Sequence, residues 1–193
     1  MGFFCYNKNM ERDKVLNLLE ENLNKDNLVK HSLAVEAAMK ELADYFDEDV
    51  DKWGVCGLLH DIDYEKTEGD LETHSKVGSE MLREWGFEEE VCDAVLTHNE
   101  AHGVEPETLM AKSLYCADPL TGLIVAATLV LPSKRISDLK VENVLNRFKE
   151  EDFASSVNRE NIKQCESLLG LDLEEFVGIV LRSMQKISED LGL

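Results

Sequence analysis

The feature that most limits what this chain can fold into is a set of apolar stripes at spacings of three and four, four of which carry a histidine on the apolar line. Leu28, Val35, Ala38, Met39, Leu42 and Phe46 form one stripe, with His31 on it. Trp53, Cys56 and His60 form another, beside Val55, Leu58 and Leu59. His74, Val77, Met81 and Trp85 form a third, and Val91, Ala94, Val95 and His98 a fourth. Such spacing places side chains on one face of a helix, so each histidine is expected to point inward. No strand alternation or internal repeat interrupts the pattern, and the expected fold class is all-α, a multi-helix bundle with its polar site in the core.

The expected helices run over residues 11–23, 27–46 and 49–60. A polar loop over 63–72 follows, with Thr73 as a cap for the next helix. Helices beginning at His74, near Glu88 and near Glu107 come next, the last reaching Asp118-Pro119. Glu88, Glu89 and Glu90 suit a helix start, where carboxylates complement the dipole. The apolar stretch Leu120 to Leu131 ends at Pro132-Ser133-Lys134-Arg135, the clearest basic cluster, and helices are expected over 141–148, 159–169 and 173–191. At 193 residues the chain reads as a single domain over 1–193, with a site-bearing core at about 27–131 and a C-terminal helical part at 132–193.

Composition narrows the function classes. A hydrophobic fraction of 44% with 31% charged residues is that of a globular protein with a real core. No apolar run is long enough to span a bilayer, so no membrane partner is expected. The N-terminal Met1-Gly2-Phe3-Phe4-Cys5-Tyr6 lacks a basic region and a cleavage site, and Tyr6 stands where myristoylation needs Ser or Thr. Cys5, Cys56, Cys92, Cys116 and Cys165 are spaced singly, as reduced thiols of a cytoplasmic protein would be. A net charge of −20 argues against a nucleic-acid polymer as partner, because phosphate backbones are bound by basic stripes. A small anionic ligand remains open, since a metal can reverse the sign inside one cleft.

One buried histidine is ordinary and is satisfied by a backbone carbonyl. Four of the chain's five histidines on inner faces, together with Asp61 directly after His60 and Asp118 one turn beyond Leu114, are harder to satisfy by packing. An unpaired buried carboxylate costs several kcal/mol. A shared metal satisfies all six, and a carboxylate such as Asp61 can bridge two ions about 3.5–4 Å apart.

The order His31, His60-Asp61, His74, His98, Asp118 on consecutive helices resembles the HD superfamily of metal-dependent phosphohydrolases, in its HDIG-like branch. The later stretches Asp118-Pro119-Leu120-Thr121-Gly122-Leu123 and Pro132-Ser133-Lys134-Arg135 resemble bacterial proteins of similar size called predicted HD superfamily hydrolases. The resemblance implies one metal held by His31, His60, Asp61 and Asp118, and a second held by His74 and His98 with Asp61 bridging. The implied cofactor is one or two divalent transition metal ions (Fe, Mn, Co, Zn, Ni or Mg). The sequence departs from the family's HDIG pattern at Asp63, which replaces glycine, and at Asn99, where several dinuclear signalling phosphodiesterases have a second histidine.

The implied activity is hydrolysis of a phosphate ester or anhydride of a nucleotide or other small phosphorylated metabolite. In it a metal activates water and polarises the phosphoryl oxygen. Alongside Asp61, candidates for proton transfer or for orienting the ligands are His102, Glu100 and Asp63, with plain surface as the alternative for each. Lys134, Arg135 and Lys76, with Arg159, are candidates for binding phosphate, or are surface charges. Two other classes stay open on the ligand set: a diiron oxygenase of the same fold, and a metal-binding module without turnover. Oligomeric state is left open.

Overall fold

In the computed structural model residues 12–193 are described; Cys5 and the expected helix start at Glu11 lie outside them. The centre of the fold is α2, Asp26–Tyr45, whose Ala34, Val35, Ala38, Met39 and Leu42 are all buried. Around it pack α3 (Val50–Leu59), α6 (Leu109–Leu129) and α10 (Leu173–Lys186), and α1 (Arg12–Asn22) packs on α3. The pair α4 (Lys76–Glu84) and α5 (Glu89–Thr97) packs together, with α5 also lying on α3 and α6. No strand occurs among the described residues, so the fold is all-α. No helix among them is long and apolar enough to cross a membrane.

Close approach of α3 to α2 depends on Gly57, where a Cβ would lie 2.7 Å from the Val35 carbonyl and 2.9 Å from Met39 Cγ. That approach seats the C-terminal end of α3 over the middle of α2. Asp49 starts α3 by accepting the Lys52 N–H, and Thr108 starts α6 by accepting the Ala111 N–H.

Four expectations need correction. Asp118-Pro119 does not end a helix: α6 runs through Pro119, whose missing N–H leaves a gap that the long packed helix tolerates. Thr73 does not cap α4; its hydroxyl bonds Asp70, and α4 begins after Ser75. The segment 159–169 breaks at Gln164 into α8 (Arg159–Lys163) and α9 (Cys165–Leu169). The segment 173–191 breaks at Ile187, giving α10 and α11 (Ser188–Leu191). The helix Val141–Phe148, α7, has its expected bounds. C-terminal helices pack on α2 and α6, so residues beyond 131 share one apolar core with those before it.

Cys56, Cys92, Cys116 and Cys165 are buried free thiols. Burial pushes each thiol up, to about 11 for Cys92 and Cys165, which removes them as nucleophiles near neutral pH.

Candidate metal centre

Each of the four inward histidines has its Nδ1 tied to an acceptor. His60, at the end of α3, places Nδ1 2.8 Å from the Gly57 carbonyl oxygen. His98, at the end of α5, repeats the arrangement with the Val95 carbonyl at 2.6 Å. A carbonyl only accepts, so in both rings Nδ1 carries the proton and Nε2 faces the centre with its lone pair. His31 Nδ1 lies 3.3 Å from Thr121 Oγ1; that hydroxyl donates to the Asp118 carbonyl at 2.8 Å, which leaves its oxygen to accept from the ring. His74 Nδ1 donates to Asp63 Oδ1 at 2.8 Å. In all four rings the outer partner at Nδ1 leaves Nε2 directed at the cluster, the orientation a metal would require.

Asp61 lies between them and is divided. Its Oδ2 is 3.4 Å from His60 Nε2 and 3.7 Å from His31 Nε2. Its Oδ1 is 3.2 Å from His74 Nε2 and 3.5 Å from His98 Nε2. Asp118 Oδ1 adds to the first pair, 2.9 Å from His31 Nε2 and 3.6 Å from His60 Nε2. Donor atoms of His31, His60 and Asp61, and likewise those of Asp61, His74 and His98, lie within 4.8 Å of one another. The structure therefore brings together all six residues expected to bind metal.

The donor set fits a divalent cation. His60 Nε2 is fully buried and has no hydrogen-bond partner, a costly arrangement for a polar atom unless something else is coordinated. Without a cation, protons must hold the cluster together. Burial lowers the His60 and His74 imidazole pKa, but Asp61 with Asp118 or Asp63 outweighs it, raising His60 well above its usual value and His74 to about 9. Burial likewise opposes ionisation of Asp61 and Asp118, yet the facing imidazoles hold both carboxyls well below the usual range.

Asp63 is engaged entirely as a hydrogen-bond acceptor. It is fully buried, and its Oδ2 accepts from Ser75 N and Gly78 N, both at 2.8 Å, while Oδ1 holds His74. One carboxylate thus caps α4 and orients the His74 ring. His102 acts on the backbone: its Nε2 lies 2.7 Å from the His74 carbonyl and 2.9 Å from Ser75 Oγ. Asn99 donates to the same His74 carbonyl at 3.2 Å and to the Leu71 carbonyl at 2.9 Å. These contacts brace Ser75, a buried non-glycine residue held at φ 68°.

A cavity of about 350 Å³ opens over the cluster, and His31, Asp61, His74, His98 and Asp118 reach it. Glu100 lines it too, its oxygens accepting from Asn158 Nδ2 at 2.8 Å and Asn161 Nδ2 at 3.1 Å. The expected phosphate-binding residues do not line it. Lys76 is exposed and bonds the Glu72 carbonyl, Arg135 pairs with Asp138 three residues on, and Lys134 is an exposed turn residue at φ 52°. Arg159 is turned into its own loop, donating to the carbonyls of Phe148, Glu150, Phe153, Ala154 and Val157. The sequence reading missed Thr121, Asn158 and Asn161. Thr121 was within reach as the residue one turn after Asp118, whereas Asn158 showed only the signature of a helix cap.

Comparison with known proteins agrees with this arrangement. The HD domain family matches residues 28–123, a span that holds all six inward donors. An uncharacterized protein, MJ0778, of Methanocaldococcus jannaschii is 35% identical over 150 residues, covering 72% of this chain and 85% of that one. The chain belongs to the HD-domain family. HD domains bind divalent metals and are metal-dependent hydrolases in general. Ribonuclease Y of Lawsonia intracellularis is 32% identical over 127 residues, and ribonuclease Y of Thermotoga maritima 31% identical over 139. The chain covers 24% and 27% of those two proteins, about a quarter of their length. With relatives of that name, net charge no longer serves to exclude RNA as a substrate of the HD domain. No solved structure matches the chain.

Proposed function

We propose that this HD-domain protein hydrolyses a phosphate ester or anhydride of a small phosphorylated metabolite, using one or two divalent transition metal ions. His31, His60, Asp61 and Asp118 would hold the first ion, and His74, His98 and the other oxygen of Asp61 the second. The observation that supports this reading is the division of Asp61, each oxygen facing a different pair of imidazoles. When bound, such ions lower the pKa of water and polarise the phosphoryl oxygen.

The chain's own residues supply the rest. Asp118, whose side chain is 24% exposed and reaches the cavity, would orient the attacking water by accepting a hydrogen bond from it through the oxygen that does not face the imidazoles, and the proton the water loses passes to solvent. As the water oxygen bonds to phosphorus, the bond to the leaving oxygen breaks and that oxygen takes a proton. Of the three residues considered as its donor, only Glu100 lines the cavity, and both its oxygens are engaged as acceptors, so the proton comes from solvent. Asp63, Asn99 and His102 hold His74 in place.

The test is phosphate release from nucleotides and phosphomonoesters with manganese, cobalt, magnesium or iron restored to protein purified without oxygen. His60→Ala and Asp61→Ala are expected to lose both bound metal and phosphate release. Iron binding with oxygen consumption and no phosphate release would transfer the assignment to the oxygenase class. Metal binding with neither activity would make the protein a binding module.

A further inference from the structure

Resting on the hydrolase reading, the lining of the cavity narrows the substrate. We infer that the site selects a monophosphorylated compound whose remaining part carries no negative charge, and that Glu100, held by Asn158 and Asn161, is the residue that enforces this. Among the described residues lining the cavity there is no lysine and no arginine, while Asp61, Asp118 and Glu100 contribute three carboxylates. Positive charge can therefore enter only with the metal, at the floor formed by the histidines. Two divalent ions against three carboxylates leave one net positive charge, and one ion leaves a net negative charge. The phosphoryl group is held by direct contact with the metal, and with it bound neither balance leaves positive charge to compensate a second anionic group.

The part of the substrate away from phosphorus meets a different wall. It is made by Glu100, Asn158, Asn161, Ser156, Val157 and Leu71, which offer hydrogen bonds and apolar surface without a cation. Four of these six lie beyond residue 123, outside the segment shared with the HD family. The family segment thus carries the metal donors, and the chain's own C-terminal part carries the selecting wall. Arg159 fixes that wall: one guanidinium gathers five carbonyls of the 148–157 loop and presents Ser156, Val157 and Asn158 to the cavity. Glu100 ties α8 to the metal-bearing half through both of its oxygens.

Three aryl probes that differ by one group test this: phenyl phosphate, 4-carboxyphenyl phosphate and 4-(aminomethyl)phenyl phosphate. Their affinities are measured by calorimetry on the metal-loaded protein at low ionic strength, with metal content checked after each titration, and phosphate release is followed separately. The carboxylated probe is expected to bind about fivefold more weakly than phenyl phosphate, the size of a single charge interaction at a partly exposed site, and the aminomethyl probe at least as tightly. Glu100→Gln should bring the three affinities within about twofold, and Ser156→Lys, an exposed change that adds a cation, should reverse the order of the first two. Equal affinities in the wild type, an unchanged order in Glu100→Gln, no binding of any probe, or tighter binding of a short oligoribonucleotide than of phenyl phosphate would overturn the inference. The expected order without phosphate release would support the selecting wall and remove the hydrolase reading. Phosphate release without the order would do the reverse.

Discussion

Asp63→Asn separates orientation of a ligand from its presence. The native carboxylate accepts three hydrogen bonds in a fully buried position, from His74 Nδ1, Ser75 N and Gly78 N. An asparagine has one accepting oxygen and one donating nitrogen. With the oxygen kept toward the Ser75 and Gly78 N–H groups, the new NH2 faces His74 Nδ1, donor against donor. The ring resolves this conflict by moving its proton to Nε2, the atom that faces Asp61, and His74 then ceases to be a ligand.

Loss of an orienting partner of this kind costs metal affinity about 10–100-fold, which is about 1.4–2.7 kcal/mol. Loss of one charge-assisted hydrogen bond adds about 1.5–3 kcal/mol to the stability cost, which a domain of this size survives. Asp63→Ala would strand three buried donors at about 1–3 kcal/mol each and is expected not to fold. Anaerobic calorimetry of metal binding, with elemental analysis of the product, should show Asp63→Asn retaining one ion tightly and binding the second about 10–100-fold more weakly. Two ions bound with native affinity would refute the reasoning about the His74 tautomer.

Thr121→Val removes the acceptor for His31 Nδ1 without changing shape, and should weaken the first ion about tenfold in competition with a fluorescent chelator while leaving the fold intact. Gly57→Ala would drive a Cβ to within 2.7 Å of the Val35 carbonyl; the overpacking should cost about 1–3 kcal/mol, read as a lower urea midpoint with unchanged slope. In protein stripped of metal, the raised His60 and His74 contribute stability that is complete below about pH 6.5 and is lost as pH rises through His74's value of about 9. The lowered Asp61 and Asp118 contribute stability that is present above about pH 4 and lost on further acidification. The urea midpoint of the stripped protein should therefore be lower at pH 9.5 than at 6.5, and metal-loaded protein, whose imidazoles are already neutral, should lack that alkaline loss; a stripped-protein midpoint that rises over this interval would contradict the assignment.

The six clustered donors were legible in the sequence because each lies on, or at the end of, an apolar stripe that a helix would bury. Their outer partners were legible only in part. Gly57 and Val95 stand three residues before the histidines they hold, a spacing fixed by the helix itself. Asp63 was a candidate for proton transfer or for orienting the ligands, but its partners lie 11, 12 and 15 residues away across a loop, so nothing local chose between the two. Basic residues misled for a related reason. Lys134 and Arg135 are conspicuous as a pair, yet the turn that holds them faces solvent, and the cavity wall is made by Glu100 and by asparagines 58 and 61 residues beyond it. Pro119 read as a helix end because a proline usually breaks a short helix; α6 is long and packed enough to continue through it.

The division of Asp61 between two pairs of imidazoles is tested most directly by counting metal ions per chain in protein reconstituted anaerobically. Two ions are expected in the wild type, one in the His74→Ala, His98→Ala double variant, and none in folded Asp61→Ala. A folded wild-type protein that binds no metal, or one whose metal count is indifferent to loss of His74 and His98, would contradict the account.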